Sequence, residues 1–179
     1  MTTENTTTTK HGQPAIYVGT YQKYNNGSTD GSWLKLEDYT DREDFLKACR
    51  ELHKDEHDPE FMFQDYQGFP KVFYSECGID LKIFDWINLD KHEKYIVELY
   101  LDNIDASADF DTALEAYAGN ARTEIEWVEE FVEDTDLLAQ VPENLKYYFN
   151  YEAYLRDLKY GGDVSFAHDN KGVTAFWRV

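Results

Sequence analysis

Cysteine and basic residues are both scarce in this 179-residue sequence, and each scarcity excludes something. The two cysteines, Cys49 and Cys77, form no Cys-x-x-Cys pair and cannot build a disulfide framework, so both read as reduced thiols of a cytoplasmic chain. No apolar run approaches the ~20 residues needed to span a bilayer, which points to a soluble protein. The opening MTTENTTTTKHGQP is Thr-rich, lacks the apolar segment of a signal peptide, and reads as a disordered tail over residues 1–14. Seventeen Lys and Arg stand against 36 Asp and Glu, a net charge of −19. Phosphate contacts need basic side chains, so direct binding to nucleic acid is disfavoured, and binding to an anionic membrane surface fails for the same reason. Cations, basic proteins, and proteins that normally hold something anionic are left as partners.

Catalytic signatures are equally thin. There is no G-x-S-x-G elbow, P-loop or G-x-G-x-x-G. His53-Lys54-Asp55-Glu56-His57 matches the inverted zinc-peptidase order H-x-x-E-H, but Pro59 follows at once and no third ligand is evident, so it reads as a charged helix end. Asp102, Asp105, Asp109, Asp111 and Glu115 lack the glycine and the ligand spacing of an EF-hand, and Ser107 reads as a helix cap. His92 and His168 read as structural or exposed side chains. The expectation is a non-enzyme with no metal and no cofactor.

What the sequence has is aromatic mass. Fourteen Tyr and eleven Phe argue for a packed core despite the charge. Trp33, Trp86, Trp127 and Trp177 read as core, with Trp127 set apart because it borders the acidic face of its own helix. Strands are expected at Ala15–Tyr21, Trp33–Leu36 and Phe61–Tyr66, with a helix between the last two, opened by a Thr40/Glu43 capping box and closed by Pro59. Helical spacing covers Ile79–Asn88, Lys91–Asn103, Ala108–Ala118 and Glu124–Ala139, with Gly119 as a C-terminal cap. Pro142 would open a short helix, Asn150 would cap Tyr151–Lys159, and a hairpin over Val164–Arg178 finishes an α+β chain.

One stretch, TEIEWVEEFVEDTD, carries seven carboxylates and no Lys or Arg. Thr123 and Glu126 have capping-box spacing, and Ile125, Val128, Phe131, Val132 and Leu138 recur as one apolar stripe. Six acid pairs lie three or four residues apart, costing about 1–3 kcal/mol in repulsion. A merely solvated face is the plain reading. Yet from Glu98 to Asp136 thirteen acids meet a single base, Arg122, and they are threaded between core positions rather than gathered in a tail. Folded elements would therefore hold them in a fixed array.

That array has a physical counterpart. A helix over Glu124–Asp136 spans about 20 Å, a length in which one DNA strand carries about six phosphates. A net −19 equals the charge of roughly nine or ten base pairs. A rigid protein of this density could occupy a cleft built for DNA.

Four segments in order, YVGTYQKYNNGSTDGSWLKL (Tyr17–Leu36), DPEFMFQDYQGFP (Asp58–Pro70), LEAYAG (Leu114–Gly119) and YFNYEAYLRDL (Tyr148–Leu158), resemble the ArdA antirestriction family. Tyr21, Tyr24, Asn25, Gly27, Gly31 and Trp33 reproduce its amino-terminal Y-x-x-Y-N-x-G-x-x-x-G-x-W pattern. The resemblance implies a non-enzymatic inhibitor that mimics bent B-form DNA and occupies the DNA-binding groove of type I restriction–modification enzymes, on their specificity and modification subunits. It implies spread by mobile elements, a cytoplasmic location and a homodimer. It also implies an elongated α+β chain of three small domains: a mixed module over 15–72, a helical middle over 73–119 and a mixed module over 120–179 ending in the hairpin. Leu114–Gly119 corresponds to the family's antirestriction motif. The acidic surface expected from helix spacing comprises Asp102, Asp105, Asp109, Asp111, Glu115, Glu124, Glu126, Glu129, Glu130, Glu133, Asp134 and Asp136. The rival from another class is an acidic adaptor that sequesters a basic DNA-binding protein.

Overall fold

The computed structural model describes residues 12–179, so residues 1–11 of the expected tail lie outside the described residues. Pro14, at that tail's end, is buried, and its carbonyl accepts from the Leu36 amide. The chain is α+β, and it folds as two compact units, one ending at Lys94 and one spanning Tyr95–Val179.

The first unit is built on an antiparallel sheet ordered β2-β1-β3, from β1 (Ala15–Thr20), β2 (Ser32–Lys35) and β3 (Phe61–Gln67). A short helix, α1 (Tyr21–Asn25), follows β1 directly, capped by the Thr20 hydroxyl. It occupies part of what the Asn- and Gly-rich sequence marks as loop. Helix α2 (Arg42–Leu52) buries Phe45 and Cys49. Its cap is Asp41, which accepts from the Asp44 amide, and not Thr40. An ionised carboxylate is the stronger acceptor there, so the helix starts one residue later than the Thr40/Glu43 spacing suggests.

Pro59 does not end α2 either. The helix stops at Leu52 because His53 turns inward, 1% exposed, and its Nε2–H donates to the Val18 carbonyl at 3.1 Å. Nδ1 accepts from Lys23 Nζ at 3.0 Å, and that ammonium also reaches the Asp55 carboxylate at 3.0 Å. A small hairpin, β4 (Tyr74–Ser75) with β5 (Gly78–Ile79), precedes α3 (Lys82–Asn88), which starts three residues later than the helix expected from Ile79. Trp86 is buried, as its spacing suggests, but Trp33 is not core. It lies on the edge strand β2, 41% exposed, with its ring edge-on to Tyr17 across the sheet. Helix α4 (Lys91–Asn103) has the bounds read from the sequence.

The second unit centres on an antiparallel sheet ordered β6-β8-β7, from β6 (Tyr117–Ala121), β7 (Val164–Asp169) and β8 (Gly172–Trp177). β7 and β8 form the expected hairpin, pairing Val164 with Trp177 and Asp169 with Gly172. A side chain at Gly172 would place its Cβ 2.2 Å from the Ala121 carbonyl oxygen, so only glycine allows β6 to close on this turn. Helix α5 (Phe110–Ala116) is shorter than the stretch read as helix, and its cap is Asp109, not Ser107. Gly119 is no helix cap but sits inside β6 at φ +102°, where the pairing with β8 shifts register.

Helices α6 (Glu124–Asp134), α7 (Glu143–Lys146) and α8 (Tyr151–Gly161) complete the unit. Asn150 caps α8 as expected, and Gly162 closes it in the left-handed conformation. Val128 and Val132 of α6 are buried, and Ile125, Phe131 and Leu138 pack against the same core with Val164 and Ala175. Trp127 belongs to that core and not to the acidic surface. It is 3% exposed, stacks on Phe131 at 5.4 Å, meets Trp177 edge-on, and donates its indole N–H to the Ala118 carbonyl at 2.8 Å.

Candidate acidic interface

All twelve acids of the expected surface fall in the second unit, which holds 18 acidic and 6 basic residues. Asp102, at the end of α4, is exposed. Asp105 and Asp109 are exposed too, but both also serve the backbone. Asp105 accepts from the amide and the hydroxyl of Ser107, and Asp109 caps α5 through the Thr112 amide. Asp111 and Glu115 project from α5 into solvent.

The seven carboxylates on α6 and just past its end divide into two groups. Glu124 is half-buried and accepts from Lys159 of α8, while its second oxygen lies 3.0 Å from His168 Nε2 on β7. His168 therefore has a partner that the sequence does not reveal. Glu126 is held by Arg122, whose Nη2 donates to Oε1 at 2.6 Å and whose backbone N–H donates to Oε2 at 3.0 Å. This hydrogen-bonded guanidinium keeps the Glu126 carboxyl below the usual range. The capping box is thus shifted on one side. The Thr123 hydroxyl accepts from the Glu126 amide as expected, but the returning carboxylate bonds residue 122 instead of the cap itself.

Glu129, Glu130, Glu133, Asp134 and Asp136 form the second group. All five are exposed, and among the described residues no Lys, Arg or His lies within ion-pair distance of them. They crowd the carboxyl-terminal half of a helix with no basic residue in its last turn, where the macrodipole already disfavours anions. Asp136 adds a backbone cost, at φ +51°. It occupies the left-handed position of a Schellman closure, with its own amide bonded to the Glu133 carbonyl and the Leu137 amide bonded to Val132. Glycine is the ordinary occupant of that position. Local stability therefore accounts for Glu124 and Glu126 and not for these five.

The structure separates what spacing had merged. Arg122 and Glu126 stand four residues apart, a pairing readable from the sequence. Lys159 and His168 reach Glu124 only through the packing of α8 and β7. Among the described residues, no group of three His, Cys, Asp or Glu side chains could hold a metal ion, and no helix is long and apolar enough to cross a membrane.

The family model for the antirestriction protein ArdA matches residues 16–172. The chain belongs to the ArdA antirestriction family. A comparison with curated proteins gives no match. The ArdA match takes in both units, from β1 to the start of β8, and so includes the whole of α6. The LEAYAG segment of this ArdA member straddles the end of α5 and the start of β6, with Ala116 buried and Glu115 exposed. Antirestriction is thus the general function, and the ArdA family is one of inhibitors and not of enzymes.

Proposed function

We propose that this protein inhibits type I restriction–modification enzymes by occupying their DNA-binding groove, on the specificity and modification subunits, with ordered carboxylates in place of phosphates. The observation that carries this reading is the group of exposed acids on and just past α6, Glu129, Glu130, Glu133, Asp134 and Asp136, which have no ion-pair partner among the described residues and are held at a cost in local stability. A groove lined with Lys and Arg relieves that cost on binding, and the same field that steers DNA into the groove steers the protein. Asp102, Asp105, Asp109, Asp111 and Glu115 extend the charge over α4 and α5, while Glu124 and Glu126 serve mainly to fix the start of α6. Family membership supports the antirestriction outcome, and the charge supports the mechanism.

On this reading the protein acts in the cytoplasm, where restriction enzymes meet incoming DNA. Two copies joined by a two-fold axis would carry −38, the charge of about 19 base pairs. Competition with labelled DNA for a type I methyltransferase core, followed across a salt series, tests the mechanism.

A further inference from the structure

Three tyrosines of the second unit are strongly exposed, Tyr147, Tyr148 and Tyr160, and the first two lie together. Tyr147 is 89% exposed and Tyr148 77%, with ring centroids 5.6 Å apart and planes near perpendicular. A short helix precedes the pair and a core residue follows it. Pro142 opens α7, and its carbonyl accepts from the Leu145 amide. Phe149, next in the chain, packs into the core against Tyr151 and Tyr154, and Asn150 caps α8. The pair is thus displayed on a short turn whose carboxyl-terminal flank is anchored in the core, which limits the backbone entropy lost when a partner covers it.

We propose that Tyr147 and Tyr148 are the apolar anchor of the same interface, stacking against Arg or Lys side chains of the partner's DNA-binding groove. The inference rests on the DNA-mimic reading above. The argument for a cationic occupant is charge complementarity. A unit with 18 acidic and 6 basic residues draws a positively lined surface, and a tyrosine ring presents a negative face to a cation. The unit already contains this chemistry internally, with Lys171 Nζ 4.2 Å from the centre of the Tyr95 ring and Lys159 Nζ 5.6 Å from that of Phe166. Arginines that hold DNA are planar and weakly hydrated, and suit a tyrosine face better than a solvated one. Carboxylates supply long-range attraction that salt screens, whereas the stacked rings supply contact energy that salt screens much less.

The test compares wild type with Y147A/Y148A, the single variant Y147S and the conservative Y147F/Y148F. Each competes for a type I methyltransferase core preloaded with a fluorescent DNA duplex, at several salt concentrations, and sedimentation records the oligomeric state of each. The expected result is about tenfold or greater weakening for Y147A/Y148A, with the slope of log affinity against log salt unchanged and Y147F/Y148F close to wild type. Wild-type displacement with Y147A/Y148A and Y147S equally potent overturns the inference and leaves the DNA-mimic reading standing. No displacement by wild type defeats that reading, and this inference with it. Loss of a wild-type dimer in Y147A/Y148A identifies a second copy as the occupant and overturns the inference too.

Discussion

Arg122 and Glu126 clasp each other at the entrance of α6, Nη2 to Oε1 at 2.6 Å, one helical turn before the acids that have no ion-pair partner among the described residues. The only base between Glu98 and Asp136 is therefore spent on the helix start, and the exposed half of α6 keeps its full charge.

That clasp predicts a pH signature. Glu126 titrates below its ordinary value because Arg122 hydrogen-bonds its charged form. A carboxyl depressed in the folded state contributes stability above its unfolded pKa, and that contribution is lost as pH falls through the folded one. In a carbon-detected NMR titration, the Glu126 carboxyl should have its midpoint below the ~4.3 of an unperturbed glutamate. In R122A the midpoint should rise toward that value. An unchanged midpoint in R122A would remove Arg122 as the cause.

Asp136 makes a second prediction. Replacing it with glycine removes left-handed strain of about 1 kcal/mol and an anion from the negative end of the helix, offset in part by glycine's freedom in the unfolded chain. D136G should therefore be more stable than wild type, by about 1 kcal/mol or about 2–4 °C in melting temperature for a chain of this size. Thermal unfolding at fixed salt measures it. A destabilised D136G would mean that the Asp136 carboxylate supports the fold.

The buried Trp127 and the edge-strand Trp33 should behave oppositely. W127A empties a core site and orphans the Ala118 carbonyl, and should cost about 3–5 kcal/mol. W33A trims a half-exposed ring on an edge strand and should cost about 1 kcal/mol or less. Urea unfolding of both variants gives the comparison, and equal losses would contradict the burial difference.

These residues also show where the sequence is legible. The apolar stripe of α6, the hairpin at Val164–Trp177 and the Asn150 cap each follow from a local pattern, and the structure has them. Gly119 and Trp33 mislead for one reason. A glycine after a helical stretch reads as a cap, and a tryptophan reads as core, but pairing with β8 draws Gly119 into a strand, and the short sheet leaves Trp33 on an edge. His53 ends α2 through contacts with β1 and α1, which no local window contains. The candidate surface follows the same rule. Exposure of the α6 acids is visible in helical spacing, but the contacts of Glu124 with Lys159 and His168 depend on tertiary packing.

The exposed acids on and just past α6 should compete with DNA for the groove. The most direct measurement titrates wild type and E129Q/E130Q/E133Q/D134N/D136N against a type I methyltransferase core holding labelled DNA, over a range of salt. Wild type should displace DNA at near-stoichiometric amounts, with potency falling steeply as salt rises. The neutralised variant should be much weaker and show a shallower salt slope, whereas single Glu→Gln changes should matter little because the charge is shared. A neutralised variant that displaces DNA as well as wild type would contradict the account, as would no displacement at low salt by wild type on several type I enzymes, the result expected of an acidic adaptor for basic DNA-binding proteins.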